Sequence, residues 1–546
     1  MVRTARWQWL GWRSLVVPAT CLAMALLVLA PLLGRGFVLT YDMVFAPRQY
    51  LLPDSFGLGS ALPRSVPADA VVGVLTTLIP GDLVQQLFLL AALVAGPLGA
   101  AKLVPTESVG TRVVAAVSYG WTAYVAERLL MGHWPYLLAY AALPWVVLAR
   151  NNTAKLVLAC VPGIITPTGG ILVSVAAIVA GGPRRLKITV PLALVLNAPW
   201  WVPSVLHNGT ALSTEDGVVA FAARAESWGG PVVSLLGLGG IWNGEVTPAS
   251  RANPLVPVIT LVTVAVALIG LHHLAKRWGT LARRLTVLGA VGVFLAALPT
   301  LPGGQELLSW TVATVPGGGL LRDSQKWVAW WALPLALGIA TAVDRVNRKA
   351  IVAAAVVVPL AVMPDLAFAM WGRLHTANYP ADWFVVREIL ASDPRPGDVV
   401  TQPFGAFRQF DWNRDRTQLD PAPRFLPRPT VIDDTLYVSG RPVAGEDPRA
   451  RRIREGQPLN ELGIGWVLVE HGTPGTADTT GLENVYRGEW LDLYRVPGPT
   501  ADPPDGPPRA PIVVAFSAAG AVILFSVLWL ALPTGRLTPL RHRGQE

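Results

Sequence analysis

A lone carboxylate, Asp42, follows the first long apolar run of the chain, shortly after Leu33. An aspartate so placed can act as a general base, which takes a proton from a hydroxyl group during a transfer reaction. The alternative is an interfacial position without chemistry, because a charge at the wet edge of a membrane costs little. The residue type alone leaves both interpretations open.

Four basic residues are expected near the same membrane boundary as Asp42: Arg48, Arg128, Arg322 and Lys326. The planar fork of a guanidinium group matches a phosphate, so these cations can bind a departing phosphate group. Each one alone is more typical of a basic side chain that reaches from an apolar helix to the interface. As a group they favour an anion-binding site.

Other side chains near these cations are candidate substrate contacts: Glu127, His133, Trp134 and Asp323. His133 can orient a phosphate or a hydroxyl group. Beside Trp134 it is equally typical of an aromatic belt at the membrane interface.

A Gly-rich segment at 205–254 contains Trp228 and Trp242 together with Glu226 and Glu245. Aromatic faces with nearby carboxylates suit sugar binding, although interfacial tryptophans occur in many membrane proteins. A second aromatic group either binds glycan or forms the core of a small domain. It consists of Phe404, Phe407, Phe410 and Trp412.

The composition indicates that lipid surrounds most of the chain. Of the 546 residues, 52% are hydrophobic and 14% are charged, and the mean hydropathy is +0.46. A soluble core cannot take up so much apolar surface. The net charge of +9 comes largely from short loops between apolar runs, so it indicates topology and not a nucleic-acid partner.

The apolar runs predict about eleven membrane elements. They lie near 15–33, 83–102, 113–130, 135–149, 156–181, 188–204, 255–274, 285–301, 327–343, 351–370 and 511–532. The break at 167–170 predicts that 156–181 is a re-entrant hairpin of two half-length helices. The basic loops then place both termini in the cytoplasm of a multi-pass plasma-membrane protein. The terminal basic residues are Arg3, Arg6, Arg13, Arg536, Arg541 and Arg543.

The expected fold is a polytopic α-helical membrane protein with a small α/β or α+β extracytoplasmic domain. The membrane domain covers 1–371, with outer loops at 34–82, 205–254 and 302–326. The soluble domain covers 372–510 and ends in a Pro-rich linker, and 511–546 hold the last helix and the cytoplasmic tail. In the soluble domain we expect a helix at 381–391 and strands at 399–403, 430–433, 464–470 and 490–496.

No motif identifies a cofactor. Cys21 and Cys160 lie inside apolar runs and lack the spacing of a metal site. The chain also lacks a phosphate-binding Gly-rich loop with its lysine, an HExxH motif and a nucleophile elbow. A nucleotide-driven pump is therefore not indicated, and the cofactor is left unknown, with a divalent cation as the open choice.

The layout of spans, with an acidic residue in the first outer loop, resembles the GT-C superfamily of membrane glycosyltransferases. The stretches 124–134, 140–145 and 320–327 look like segments of bacterial cell-wall arabinofuranosyltransferases, and 402–407 and 462–469 have similar counterparts. Asp42 matches the acidic position of the superfamily. Many members carry a pair of acidic residues there, whereas Asp42 has no adjacent acidic partner, which leaves metal use open.

The resemblance implies a sugar donor on a polyprenyl phosphate, which enters from the lipid bilayer, and an envelope glycan or glycolipid as acceptor. Arabinose and mannose are the sugars it favours. Asp42 would be the general base, and the four basic residues would bind the donor phosphate. The oligomeric state is not indicated.

Two other classes of function remain. A transporter or flippase of a lipid-linked precursor would also need many helices and broken segments, but it usually shows internal repeats and mid-membrane charges. A non-catalytic scaffold for glycan assembly would fit the single acidic residue. Substitution of Asp42 separates these classes, because only a transferase should lose turnover.

Overall fold

A computed structural model describes residues 12–207, 216–315, 317–438 and 441–532. The predicted basic residues Arg3, Arg6, Arg536, Arg541 and Arg543 lie outside the described residues, and the side chain of Arg13 is not described.

Helices make up the first two thirds of the chain and return at its end. They are α1 Trp12–Leu29, α2 Ala68–Thr76, α3 Gly81–Leu103, α4 Val109–Gly120, α5 Ala123–Leu130, α6 Trp134–Ala149, α7 Thr153–Cys160, α8 Pro167–Gly181, α9 Leu186–Leu206, α10 Asp216–Ala220, α11 Gly230–Leu236, α12 Val256–Trp278, α13 Thr280–Ala297, α14 Gly304–Thr314, α15 Ala329–Val346, α16 Lys349–Val362, α17 Ala367–Trp371, α18 Ala381–Ser392, α19 Ala422–Phe425, α20 Pro448–Arg454 and α21 Arg509–Ala531.

The predicted fold class is confirmed: the chain is a polytopic helical membrane protein. Within the described ranges, seven helices are long and apolar enough to cross a membrane. They are Ser14–Leu32, Gly81–Leu103, Pro183–Leu206, Val256–Trp278, Thr280–Thr300, Ser324–Val346 and Arg509–Ala531. A bent pair, Lys349–Val362 and Pro364–Trp371, makes up to eight, and α6 and α8 are shorter apolar helices.

Two of the predicted spans are interrupted. In the span predicted at 113–130, α4 ends at Gly120, and Thr122 begins α5 by accepting a hydrogen bond from the Val125 amide. Such N-caps favour a new helix over continuation of the old one. In the span predicted at 351–370, the helix axis bends by 70° where Pro364 follows α16, because proline cannot continue the hydrogen-bond ladder.

The segment 156–181 forms two helices, α7 and α8, but the turn between them is 161–166. The predicted break at 167–170 is instead the first turn of α8. Pro167 takes the first helical position and the Thr166 hydroxyl accepts from the Gly169 amide at 3.1 Å. Proline at this position starts a helix readily, which explains the shift.

The helices of the bundle pack closely where small residues meet. A Cβ atom on Gly270 of α12 would lie 1.8 Å from the Gly338 carbonyl oxygen of α15. Small residues at such crossings let helix backbones approach in membranes. Because it is packed in this way, α15 is buried along most of its length and forms the centre of the bundle.

The soluble part contains a small mixed β-sheet. Its strands are β1 Asp398–Gln402, β2 Phe407–Phe410, β3 Arg416–Leu419, β4 Thr430–Val431, β5 Leu436–Val438, β6 Arg441–Val443, β7 Ile464–Glu470, β8 Glu483–Arg487 and β9 Leu491–Arg495. The main sheet has the order β4-β1-β7-β9-β8, parallel across β4-β1-β7 and antiparallel across β7-β9-β8. We call this part, from α18 to β9, the sheet domain.

The central strand β7 is buried over its whole length, as expected for a strand covered on both faces. The predicted helix and four strands of this domain correspond to α18, β1, β4, β7 and β9. The sequence did not predict β8 or the hairpins β2-β3 and β5-β6. These strands are short or polar, and their patterns carry little periodicity.

The first loop after α1 passes between the bundle and the sheet domain. The Tyr41 amide donates to the Thr417 carbonyl at 2.7 Å, and the Leu419 amide donates to the Tyr41 carbonyl at 2.8 Å. Phe37 forms a β-bridge with Ala377. This loop therefore continues the β2-β3 hairpin and carries Asp42 to the boundary between the two parts.

Candidate functional site

A cavity of about 1940 Å³ lies between the bundle, the first loop and the sheet domain. Its size suits a ligand larger than a single small molecule. Seven of the site residues predicted from the sequence line it. They are Asp42, His133, Trp134, Trp242, Arg322, Asp323 and Lys326.

Asp42 is fixed by the backbone around it. Its amide donates to the Met131 carbonyl at 3.2 Å, which ties it to the turn between α5 and α6. Gly132 in this turn has a φ of +73°, and a Cβ there would lie 2.3 Å from both the Met43 nitrogen and the Thr40 oxygen. Only glycine allows this conformation and this approach together. The turn therefore sets the position of Asp42.

The carboxylate of Asp42 is 44% exposed, and its Oδ2 lies 3.1 Å from His133 Nε2. On the other side of the ring, Arg128 Nη1 lies 2.7 Å from His133 Nδ1. A guanidinium group only donates, so Nδ1 accepts and Nε2 carries the hydrogen. His133 is thus a neutral donor to the Asp42 carboxylate, and its ring is held between an anion and a cation.

Arg128 and Glu127 lie behind the cavity wall and not on it, because both are fully buried in α5. Arg128 donates to Gln325 Oε1 and lies 3.8 Å from Asp323. Gln325 in turn donates to Glu127 at 3.1 Å. Neither side chain lines the cavity, and both contact residues that do or that lie next to them.

Two other predicted residues lie away from the cavity. The side chain of Arg48 is exposed and does not line the cavity. Trp228 is 67% exposed and its indole donates to the Pro254 carbonyl at 2.8 Å. Both positions are typical of side chains at the membrane interface, which was the alternative to a role in the site.

Lys326 is the buried cation that faces the cavity. It lies in the short helical turn Ser324–Val328, and its Nζ is 5.5 Å from the Trp327 ring. No carboxylate of the described residues lies within ion-pair distance of it. Arg322 also lines the cavity, but it pairs with Glu446 at 3.3 Å. An anion would therefore gain more at Lys326 than at Arg322, because Lys326 has no paired carboxylate.

Some of the predicted aromatic residues line the cavity and others do not. Trp134 stacks on Phe88 with ring centroids 5.1 Å apart and is largely buried, so it fixes the start of α6. Trp242 packs on Phe221 at 4.8 Å and is half-buried at the cavity. Of the second aromatic group, Phe404 and Phe407 line the cavity. Phe410 and Trp412 stack on one another at 4.9 Å, away from it.

The predicted loop 205–254 contains a buried ion pair and also residues that line the cavity. Glu226 pairs with Arg251 at 2.8 Å, and both are buried. Burial raises the pKa of Glu226, but the charge of Arg251 and the hydrogen bonds to this carboxyl together lower its pKa below the ordinary value. Glu245 lies at the cavity and accepts from the Tyr41 hydroxyl at 2.5 Å. Burial and this bond raise the pKa of Tyr41.

The sequence did not point to three other cations that line the cavity, Arg64, Arg224 and Arg424. Arg224 lines the cavity from the 205–254 segment, and no carboxylate of the described chain lies within ion-pair distance of it. Arg424 reaches the cavity from the sheet domain and pairs with Asp69 of the first loop at 3.0 Å. Asp69 and Arg424 are far apart in the sequence, and no local pattern predicts such a pair.

No group of three or more His, Cys, Asp or Glu side chains within the described ranges is arranged to hold a metal ion.

Together, the fold and the cavity define a polytopic membrane protein whose charged site lies between a helical bundle and a small sheet domain. No family model matches the chain, and no curated protein matches it.

The solved structure of arabinofuranosyltransferase AftD from Mycobacteria has a similar fold. It superposes with a TM-score of 0.55 over 90% of this chain at 17% identity. A mutant form of the same enzyme superposes with a TM-score of 0.50 over 90% of the chain at 18% identity. The match covers 40% and 42% of those two chains.

Proposed function

We propose that this protein is a membrane glycosyltransferase. It moves a sugar, arabinose or mannose, from a polyprenyl-phosphate donor to an envelope glycan or glycolipid at the extracytoplasmic face, with Asp42 as general base. The observation that carries the proposal is that a half-exposed carboxylate and a buried cation, Lys326, face one large cavity. The AftD-like fold supports it at the level of architecture.

In the proposed reaction, the acceptor oxygen bonds to the anomeric carbon of the donor sugar while the bond from that carbon to the phosphate oxygen breaks. Asp42 takes the acceptor proton, and the electron pair of the broken bond leaves with the polyprenyl phosphate. Lys326 stabilises the charge that develops on this phosphate, because a cation in a water-poor site acts strongly on it. Arg224 provides further positive charge at the cavity.

His133 serves this reaction by orienting the base. An imidazole that donates from Nε2 holds one oxygen of the Asp42 carboxylate in place. The second oxygen is then available for the acceptor hydroxyl. Arg128 fixes the tautomer through Nδ1, so the buried guanidinium acts on the base through the ring.

The direct test is sugar transfer by purified protein in lipid vesicles. Labelled polyprenyl-phosphate arabinose or mannose and an envelope glycan extract are supplied on the side of the sheet domain. We expect label in the glycan with one of the two donors. Movement of the labelled lipid across the bilayer without transfer would support a flippase. Binding of glycan with neither transfer nor movement would support a scaffold, and either result would overturn the proposal.

A further inference from the structure

The cations that line the cavity fall into two groups, those without a carboxylate in ion-pair distance and those with one. This difference distinguishes a site for an anion from a site for a neutral ligand. Lys326 and Arg224 have no carboxylate of the described residues within 4 Å. The other three cations of the cavity each pair with a carboxylate. Arg322 lies 3.3 Å from Glu446, Arg64 lies 2.6 Å from Asp434, and Arg424 lies 3.0 Å from Asp69. Arg424 also lies within electrostatic reach of Asp42, which adds a second negative charge to its surroundings.

A phosphate gains little at the Arg424–Asp69 pair, because the pair is neutral and Asp42 repels an anion. A hydroxyl group, however, can use both members of the pair. It accepts a hydrogen bond from the guanidinium and donates one to the carboxylate, and sugars carry such hydroxyl groups on neighbouring carbons. The pair therefore selects a neutral polyol over an anion.

The surface beside this pair supports the same choice of ligand. Phe404 and Phe407 are half-buried and line the cavity from the sheet domain, and Phe407 packs near Tyr41 with ring centroids 6.2 Å apart. Aromatic faces contact the apolar faces of sugar rings. Paired hydrogen-bonding groups next to aromatic faces are thus available on one wall of the cavity.

From these observations, we infer that the sheet domain forms the acceptor subsite, in which Arg424, Asp69 and Phe407 bind the acceptor glycan beside Asp42. The inference rests on the proposed function. It adds that the two substrates are divided between the two parts of the molecule. The donor phosphate binds on the bundle side at Lys326, and the acceptor sugar binds on the sheet-domain side.

The test compares Arg424→Gln with Arg495→Gln in the full-length protein. Arg495 is a matched control: it pairs with Asp393 at 3.0 Å, its exposure is similar, and it lies away from the cavity. Kinetics with arabinosyl and mannosyl oligosaccharides as acceptors should show that Arg424→Gln raises the acceptor KM about tenfold and leaves the donor KM unchanged. Arg495→Gln should change neither KM.

A second measurement does not need turnover. Equilibrium dialysis with the labelled oligosaccharides, on the wild type and on Phe407→Leu, should show about tenfold weaker binding by the variant. Phe407→Leu also serves if Arg424→Gln fails to fold. Unchanged acceptor affinity in the folded variants, or an equal rise of both KM values, would overturn the inference. Absence of transfer by the wild type, with oligosaccharide binding intact, would contradict the proposed function and not the subsite.

Discussion

The two walls of the cavity use charge differently. On the bundle side, Asp42 is 44% exposed and Lys326 has no carboxylate partner within 4 Å among the described residues. On the sheet-domain side, the charges are paired. Arg424 pairs with Asp69 of the first loop, and Asp434 pairs with Arg64 of the first loop at 2.6 Å.

This contrast indicates that unpaired charges serve the reaction and that paired charges serve ligand binding. A charge with no partner costs stability when it is buried, and it acts strongly on a ligand that arrives. A paired charge mainly fixes shape and offers hydrogen bonds. We therefore call the bundle side of the cavity the reactive wall. The sheet domain forms the wall that selects and positions the acceptor glycan.

After loss of Asp42 itself, loss of Lys326 should have the largest effect on the reactive wall. Lys326→Gln removes the buried cation and should lower kcat by about 10² to 10³, because one such group contributes strongly to charge stabilisation. Lys102→Gln is the control, since Lys102 also lies over an indole ring, that of Trp145 at 4.7 Å, but away from the cavity. Steady-state transfer kinetics measure both. Equal kcat values for the two variants would contradict the contrast between the walls.

Substitution of His133 should have a smaller effect. His133→Leu removes the donor to Asp42 and should lower kcat about tenfold, whereas His133→Gln keeps a donor and should lose less. The donor KM should stay the same in both, because the ring acts on the base and not on the phosphate. A rise in the donor KM without loss of kcat would show instead that His133 binds the phosphate.

A backbone change tests how the reactive wall is held. Gly132→Ala should lower the free energy of unfolding by about 1–3 kcal/mol, because the Cβ has no room and φ is +73°. Gly456→Ala is the control, with a φ of +81° and no atom within 4 Å of the added Cβ. The midpoint of thermal unfolding reports the difference. Similar losses in both variants would mean that conformation alone, and not close approach, constrains Gly132.

The smallest effect concerns a buried carboxyl of the sheet domain. Burial raises the pKa of Glu470 well above its ordinary value, although Arg408 opposes this. The folded chain then keeps this proton at pH values where the unfolded chain has lost it. Stability should therefore fall as pH rises from the ordinary carboxyl pKa toward the raised one.

The variant Glu470→Gln should remove this fall, and the exposed Glu455→Gln should leave it unchanged. Thermal unfolding at a series of pH values measures the slope. A wild-type stability that rises with pH across this window would contradict the raised pKa.

The sequence predicts those features that depend on long local patterns. Apolar runs of sufficient length predict the membrane class, and the all-buried strand β7 is a continuous apolar run that is readily seen. Short or polar elements such as β8 have no such pattern and were missed. The bend after α16 shows a similar limit, because hydropathy does not report the direction of a helix.

The sequence predicts the candidate site only in part, because the cavity brings distant segments together. Asp42 and Lys326 can be selected from the sequence because each is a charged residue at the end of a predicted span, and both line the cavity. Arg48 meets the same two criteria but does not line the cavity. Arg424 and Asp69 have suitable residue types but do not lie at the end of a span, and their contact depends on how the sheet domain docks on the first loop.

The central claim is that Asp42 is the base of a sugar transfer. Its most direct test is the rate of transfer by Asp42→Asn, compared with the wild type and with Asp82→Asn, whose carboxylate lies outside the cavity at the start of α3. All three proteins are reconstituted in the same lipid with saturating labelled donor and acceptor. We expect Asp42→Asn to lose about 10² to 10⁴ in kcat while Asp82→Asn keeps the wild-type rate. A folded Asp42→Asn protein with the wild-type rate would contradict the central claim.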